Sequence, residues 1–404
     1  MCILGHVDTG KTLILDKLRK TNVQAGEAGG ITQQIGATYF PKEYVDSLAE
    51  KMNGRIEDFE NKLPGFLVID TPGHESFTNL RSRGSSLCDI AILVVDIMHG
   101  LEQQTLESIE LLKQKKCPFI IALNKIDRMY GWKPVEYTNT RDALERQESH
   151  SLGEFKDRLN KTILAFAEQG FNSVVYWENQ DIHEYVSFVP TSAITGEGLP
   201  DLISYLTMQC QQRIPQQLYE KNDVFECTVL EVKVIEGLGT TIDVVLVNGM
   251  LKVQDTIILQ GLNGAIVTQI RALLTPHPMK EMRVKAEYIH HQKIKGAMGI
   301  KISAPNLENA IAGSELLRAN TQDEIDAAKK EIEDNLIDIL DKYVDKSSEG
   351  VCVQASTLGS LEALLEFLYT SKIPVCSVAI GPVHKKDVLK AMKANNETDN
   401  KKIV

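Results

Sequence analysis

One run of eight residues, Gly5-His6-Val7-Asp8-Thr9-Gly10-Lys11-Thr12, limits this chain to few folds. It matches G-x-x-x-x-G-K-[ST]. It lies between a short apolar run, Cys2–Leu4, and an amphipathic stretch, Thr12–Leu18. Strand, glycine loop and helix in that order make a phosphate-binding loop. The glycines let backbone N–H groups curl around phosphate oxygens at a helix N-terminus. Asp8, Thr9 and Gly10 then line the phosphates, Lys11 reaches the β- and γ-phosphates, and the Thr12 hydroxyl ligates Mg²⁺.

The rest of the first half alternates in the same way. Phe66–Ile69, Ile90–Val95, Phe119–Leu123 and Val186–Val189 read as buried strands, and Leu106–Leu112 and Leu199–Gln212 as helices. Such alternation predicts a mainly parallel sheet with helices on both faces. Glu43–Asn61 and Arg128–Tyr185 read as insertions. In the second, Leu152, Phe155, Leu159, Ile163 and Phe166 share a helical face that ends at Gly170.

Three further motifs fall at strand ends. Asp70 closes the second strand and supports Mg²⁺, and Gly73 is placed for its N–H to meet the γ-phosphate. Asn124-Lys125-Ile126-Asp127 closes the fourth strand. A carboxylate there accepts from the N1–H and the exocyclic amine of guanine, and adenine offers neither. Thr191-Ser192-Ala193 closes a later strand, where the backbone N–H groups of Ser192 and Ala193 face guanine O6. In this order the motifs select GTP. Gly29-Gly30-Ile31-Thr32 occupies the place of a switch loop whose Thr32 ligates Mg²⁺ while a γ-phosphate is present. His74 directly follows the Asp70–Gly73 loop. It is the candidate catalytic residue: it orients the attacking water, acts in its charged form, or is brought into place by a partner.

From Phe225 the pattern becomes short, β-branched runs (Thr228–Ile235, Thr241–Val247, Thr256–Leu259, Ala265–Ile270) with glycine-bearing turns. This predicts an antiparallel barrel closing near Leu317. Thr321-x-x-Glu324 is a capping box that opens an acidic amphipathic helix. Val351–Ala355, Ser360–Tyr369 and Val375–Ile380 begin a further α/β unit. The expected architecture is therefore an α/β P-loop GTPase domain (1–216), an antiparallel β-barrel (222–318), a linker helix (319–348) and a partial third α/β domain (349–404). The opening inside a strand and the incomplete last unit suggest a fragment of a longer protein.

Composition narrows the partners. A net charge of −11 excludes a general nucleic-acid-binding surface, so RNA must be met by local basic patches. Seven scattered cysteines without a C-x-x-C pair fit a reducing cytosol. The longest apolar run, Ile90–Met98, is too short for a membrane span. The basic stretch from Arg283 to Lys295 reads as a solvated strand pair or an RNA contact. His290 and His291 do not make a metal site, because neighbours on a strand point apart.

GHVDTGKT, GIT and DTPGH together resemble the translational GTPases, the class of elongation and initiation factors. The strings GEAGGITQQIGATYFP, IDTPGHESFTNLRSRGSSLCDIAILVVDIMHGLEQQT and VQASTLGSLEALLEFL resemble its initiation branch. The resemblance implies a cytoplasmic, ribosome-dependent GTPase that promotes subunit joining, with GTP as substrate and Mg²⁺ as cofactor. It implies both ribosomal subunits and ribosomal RNA as partners, admits other initiation factors, and implies no membrane. Initiator tRNA would be bound only by the full-length protein, through a terminal barrel not found in these residues. The resemblance makes His74 the catalytic histidine and Val7 and Ile31 the apolar pair gating it. Asp8 matches a residue tied to a monovalent cation. One departure is Val253-Gln254-Asp255, where the family's barrel has a glycine turn. Two rivals are a GTPase that delivers aminoacyl-tRNA and a GTP-locked scaffold that bridges subunits.

Overall fold

Why the apolar runs are unbroken is clear from the sheet they build. In the computed structural model, β1 (Cys2–Leu4), β3 (Gly65–Asp70), β4 (Ala91–Asp96), β5 (Phe119–Asn124) and β7 (Val186–Pro190) are covered on both faces. Alternate residues therefore face two different apolar layers, and no polar position is needed. The structure describes residues 1–21, 36–52, 60–70, 88–215, 218, 224–235, 239–261, 264–282, 287–343, 350–355, 361, 364–365, 367–369, 371–381, 383 and 385–396. Side chains at 333–343 lie outside that description. The chain divides into two units, Met1–His74 with Ser86–Glu220 and Pro276–Ala286, and Glu75–Ser85 with Lys221–Thr275 and Glu287–Val404.

With β2 (Gly36–Pro41) and β6 (Ser173–Val175), the first unit holds a seven-stranded sheet in the order β2-β3-β1-β4-β5-β7-β6. Its pairings are parallel except that of β2 (Gly36–Pro41), which runs antiparallel to β3. One core joins Ile3, Ile92, Val94, Ile120, Ala122 and Val189 to helix α1 (Lys11–Arg19) and helix α6 (Leu199–Arg213). On the other face, Phe166 of α5 (Ser149–Glu168) meets Phe188 edge-on at 5.3 Å. The polar stretch after Pro41 is more ordered than its composition suggests. Lys42–Ala49 forms helix α2, which buries Val45 and Leu48. Helix α3 (Gln103–Gln114) follows β4, and two more short elements, α4 (Thr140–Glu145) and β6 (Ser173–Val175), lie in the second insertion.

Segment 276–286 lies in the 222–318 stretch that the sequence assigns to the barrel, yet it belongs to this first unit. Tyr39 and Ala37 carbonyls of β2 accept from Met279 and Met282 N–H at 3.0 and 3.2 Å. An exposed edge strand is thereby covered. Beneath it, the Arg19 guanidinium lies 3.1 Å from Asp16 Oδ1 and 3.1 Å from Glu281 Oε2, and it donates to Thr38 Oγ1 at 3.1 Å. All four side chains are buried. The one guanidinium offsets part of the charge of both carboxylates, so removing it would leave two buried anions without their shared cation.

In the second unit, β8 (Glu226–Ile235), β9 (Gly239–Asn248), β13 (Ala272–Pro276), β14 (Tyr288–His291) and β16 (Met298–Ser303) form one sheet. β11 (Thr256–Gly261), β12 (Gly264–Gln269) and β17 (Leu316–Ala319) form another, and β10 (Met250–Lys252) pairs with β15 (Lys293–Lys295). Their inward residues, among them Val229, Val244, Leu259, Leu273 and Ile300, make one core. Gln254 adopts the left-handed conformation itself (φ 74°), which is how the turn forms without the family's glycine. Within this apolar interior Lys301 and Asp243 face each other across β16 and β9 as a buried ion pair.

Helix α7 (Gln322–Tyr343) opens as its capping box predicts. Glu324 N–H donates to Thr321 Oγ1 and Thr321 N–H to Glu324 Oε2, both at 3.3 Å. Its apolar stripe is not left to solvent: Ile325, Ala328 and Ile332 pack on Ile258, Val267 and Leu317 of the barrel sheet. β18 (Val351–Ala355) and β19 (Val375–Ile380) pair in parallel over Leu361 and Leu365, and α8 (Lys385–Asn396) follows.

Candidate functional site

The glycine loop joins β1 to α1. Gly5 and Gly10 have φ of 142° and 93°, and a Cβ at Gly5 would come within 2.3 Å of the Val94 carbonyl oxygen. Thr9 Oγ1 donates to the His6 carbonyl at 2.9 Å, which closes the curl. Lys11 lies along the loop, and its ammonium donates to the Gly5 and His6 carbonyls at 2.8 and 2.6 Å. An ammonium has three donors, so one remains for an anion at the helix N-terminus. Burial lowers the Lys11 pKa to about 8, against the opposing pull of Asp70 and Asp8. Thr12, in the first turn of α1, is buried. Asp70 is also buried, at the end of β3 level with Ile3 of β1. Asp8 is exposed with φ 62°. Val7 is exposed, and its N–H donates to Gln104 Oε1 at 3.1 Å. Ile31, Thr32, Gly73 and His74 lie outside the described residues.

The other candidate residues converge at the ends of β5 and β7. Asn124 Nδ2 donates to the Thr9 carbonyl at 2.7 Å, and Asn124 Oδ1 accepts from Ala193 N–H at 3.0 Å. This buried amide thus ties the phosphate loop to the loop after β7. Ser192 Oγ donates to Asp127 Oδ1 at 2.6 Å, which fixes the half-buried carboxylate. Of the backbone groups expected to meet guanine O6, Ser192 N–H donates to the Glu197 carbonyl at 2.9 Å and Ala193 N–H to Asn124 Oδ1, so the Asp127 carboxylate is the group left to face the base. Lys125, left-handed at φ 70°, reaches Asp96 Oδ2 at 2.6 Å.

Sequence reasoning missed two carboxylates here. Asp96, at the end of β4, also accepts from Met98 N–H at 2.8 Å and contacts His99 Nδ1 at 3.0 Å. Burial works against its ionisation, but the Lys125 and His99 contacts prevail and its pKa is lowered. Glu197 follows Ser192 in the 191–198 loop. It accepts from Thr195 Oγ1 at 2.6 Å, Val135 N–H at 2.9 Å and Trp132 Nε1 at 3.2 Å. Thr195 N–H in turn donates to Ser192 Oγ at 3.1 Å. The signal available was position alone: Asp96 ends an apolar strand as Asp70 does, and Glu197 sits between two glycines before a helix.

A doubly wound sheet with this loop and these strand ends defines a P-loop GTPase domain. The family model for the elongation factor Tu GTP binding domain matches residues 1–212, and that for translation-initiation factor 2 matches residues 322–398. The chain is 57% identical over 390 residues to eukaryotic translation initiation factor 5B of Saccharomyces cerevisiae, covering 96% of this chain and 39% of that protein. It is 44% identical to a probable translation initiation factor IF-2 of Metallosphaera sedula, covering all of this chain and 67% of that protein. The GDP-bound aIF5B crystal structure from Aeropyrum pernix superposes with a TM-score of 0.80 at 39% identity, over 98% of this chain and 66% of that one. The chain belongs to the translational GTPases, in the family of translation initiation factors 5B and IF-2. It spans about two fifths of the curated eukaryotic relative's length.

Proposed function

We propose that this chain carries the GTP-hydrolysing core of a cytoplasmic translation initiation factor that acts on the ribosome in subunit joining. The observation that carries the reading is the base-side cluster. Asp127 is fixed by Ser192, while Asn124 holds the phosphate loop with one end and the Ala193 backbone with the other. A carboxylate held in this way is set to take the N1–H and amine of guanine. The GDP named in the Aeropyrum pernix structure's title fits the same reading. The domain limits we propose are 1–216, 222–318 apart from segment 276–286, 319–348 and 349–404. Ribosomal RNA and both subunits are the proposed partners.

Among the described residues no group of His, Cys, Asp and Glu would hold a metal unaided. A GTPase does not need one: Mg²⁺ keeps several waters and takes one or two hard protein oxygens plus phosphate. The Thr12 hydroxyl and Asp70 carboxylate are hard donors, both buried, and Lys11 senses the charge of Asp70. They fit the ion, with Thr32 as a third candidate ligand. When bound, it would offset the negative charge of the phosphates. Lys11 neutralises the phosphates from the loop side. His74 positions the attacking water, and Val7 with Ile31 controls access to it. Asp8 is the proposed neighbour of a monovalent cation.

Two measurements test the reading. In competition against labelled GTP, ATP should displace weakly, and equal displacement would overturn the base assignment. His74→Ala should leave GTP affinity nearly unchanged and slow ribosome-stimulated single-turnover hydrolysis by about 10²-fold or more, the scale of a lost proton-transfer or positioning group. Unchanged hydrolysis would remove His74 from the mechanism.

A further inference from the structure

The parallel pair β18–β19 contains an irregularity with a chemical consequence. Val351 pairs with Val375, but Cys352 pairs with Ser377, so the register slips at Cys376. The bulged residue is brought beside Cys352, and the two Sγ atoms stand 3.5 Å apart. Adjacent strands are about 4.8 Å apart, which lies inside the Cα separation that a disulfide spans. Cys352 is the exposed member, and Cys376 is half-buried.

No other cysteine of the chain is placed in this way. Cys2, Cys88, Cys210 and Cys227 are buried, and Cys117 is half-buried. Burial pushes the Cys210 thiol up to about 12 and the Cys227 thiol up as well, so the thiolate form is suppressed there. Cys88 and Cys117 also face each other, at 4.0 Å, but Cys88 is enclosed in the first unit.

We propose that Cys352 and Cys376 form an oxidative modification site, a dithiol that closes to an intrachain disulfide with a peroxide or a low-molecular-weight disulfide as oxidant. The two thiols have different roles. Cys376 Sγ donates to the Gly350 carbonyl at 3.3 Å, which holds it at the bulge. Cys352, exposed, is the nucleophile. Its thiolate attacks a peroxide oxygen, the O–O bond breaks, and hydroxide leaves, giving a sulfenic acid. The Cys376 sulfur then attacks the Cys352 sulfur. The S–S bond forms, the S–O bond breaks, and the hydroxyl leaves with the Cys376 proton as water. Two thiols and one hydrogen peroxide become one disulfide and two waters. With glutathione disulfide, the same two attacks release two molecules of glutathione. A thioredoxin-type dithiol would reduce the disulfide back to two thiols, becoming a disulfide itself. The bond would pin β18 to β19 at the bulge.

The test is to oxidise the intact chain with hydrogen peroxide and, separately, with glutathione disulfide. Remaining thiols are then alkylated under denaturing conditions, and intact mass and peptides are analysed. The expected result is five alkyl groups on the oxidised chain against seven on the reduced one, a peptide pair linked through Cys352 and Cys376, and reversal by dithiothreitol. Cys376→Ser should trap the first step, as a dimedone-reactive sulfenic acid or a stable glutathione adduct on Cys352. Cys352→Ser should show neither product. Circular dichroism of both variants separates lost chemistry from lost folding. A glutathione adduct on Cys352 that persists in the wild type would overturn the proposal. So would an earlier cross-link between Cys88 and Cys117, or no oxidation at either residue.

Discussion

The phosphate side and the base side of the first unit solve opposite problems. On the base side the polar atoms are already spoken for. Asn124 bonds two loops, Ser192 holds Asp127, and Glu197 accepts from three donors on two stretches of chain. On the phosphate side the chain is bent through left-handed glycines, and a buried ammonium is kept among carbonyls with its pKa lowered. Recognition of the base is thus built from groups that also stabilise the fold. Binding of phosphate is built from groups that cost stability until an anion arrives, a common tension at functional sites.

The sharpest way to break this contrast is Lys11→Met. It should weaken GTP binding by about 4 kcal/mol, the scale of removing one partner from a desolvated charge pair. It should also raise the nucleotide-free unfolding midpoint, because a buried charge is removed. The pH dependence has a definite sign. The folded-state pKa of Lys11 is below its unfolded value, so its penalty is full below about pH 8 and fades as pH rises toward 10.5. Wild-type stability measured without nucleotide should therefore gain over that window relative to Lys11→Met. A lower melting point for the variant would contradict the contrast.

Next in size is Asp127→Asn, which should shift preference from guanine to xanthine nucleotides by about 2–4 kcal/mol, since it exchanges acceptor for donor at the base. Competition with xanthosine triphosphate reads it directly. Asn124→Ala should destabilise the nucleotide-free fold by about 2–3 kcal/mol, by stranding the buried Thr9 carbonyl and Ala193 N–H. Urea unfolding checks it, and a neutral result would mean that the clamp is decorative.

A smaller effect concerns Asp201 at the start of α6. Its carboxylate accepts from Thr140 N–H at 3.0 Å and from the Tyr176 hydroxyl, and burial raises its pKa to about 6. A carboxyl with a raised folded pKa favours the native state when protonated. Its contribution should decline as pH rises from about 4 to 6 and stay flat above, with a span of about 1–3 kcal/mol. Asp201→Asn should flatten that part of the stability profile. Smallest is Thr195→Val, which should cost about 1 kcal/mol of stability in urea unfolding, because Glu197 loses the Thr195 hydroxyl while the backbone tie from Thr195 N–H to Ser192 Oγ stays.

What could be read from the sequence follows from range of interaction. β1, β3, β4, β5 and β7 were legible because both faces are buried and the runs are unbroken. β2, only six residues ending in Pro41, shows no alternation, and its pairing with β3 is set by residues far along the chain. Helix α2 hid behind its polar face, since only Val45 and Leu48 are buried. The motif residues announced themselves by spacing. Asp96, Trp132 and Glu197 did not, because their partners lie on other loops. Least legible was Glu281, whose partner Arg19 is hundreds of residues away and whose surroundings read as barrel.

The approach of Gly10 to Asn124 has a consequence for how sequence change can accumulate. A Cβ at Gly10 would lie 2.5 Å from Asn124 Nδ2, and the left-handed backbone strains any side chain there. The two signature motifs, over a hundred residues apart, are therefore not independent positions under selection. In a pairwise mutational scan, substitutions at 10 and 124 should depart strongly from additivity. Drift at either motif is confined to the variants that the other has already admitted.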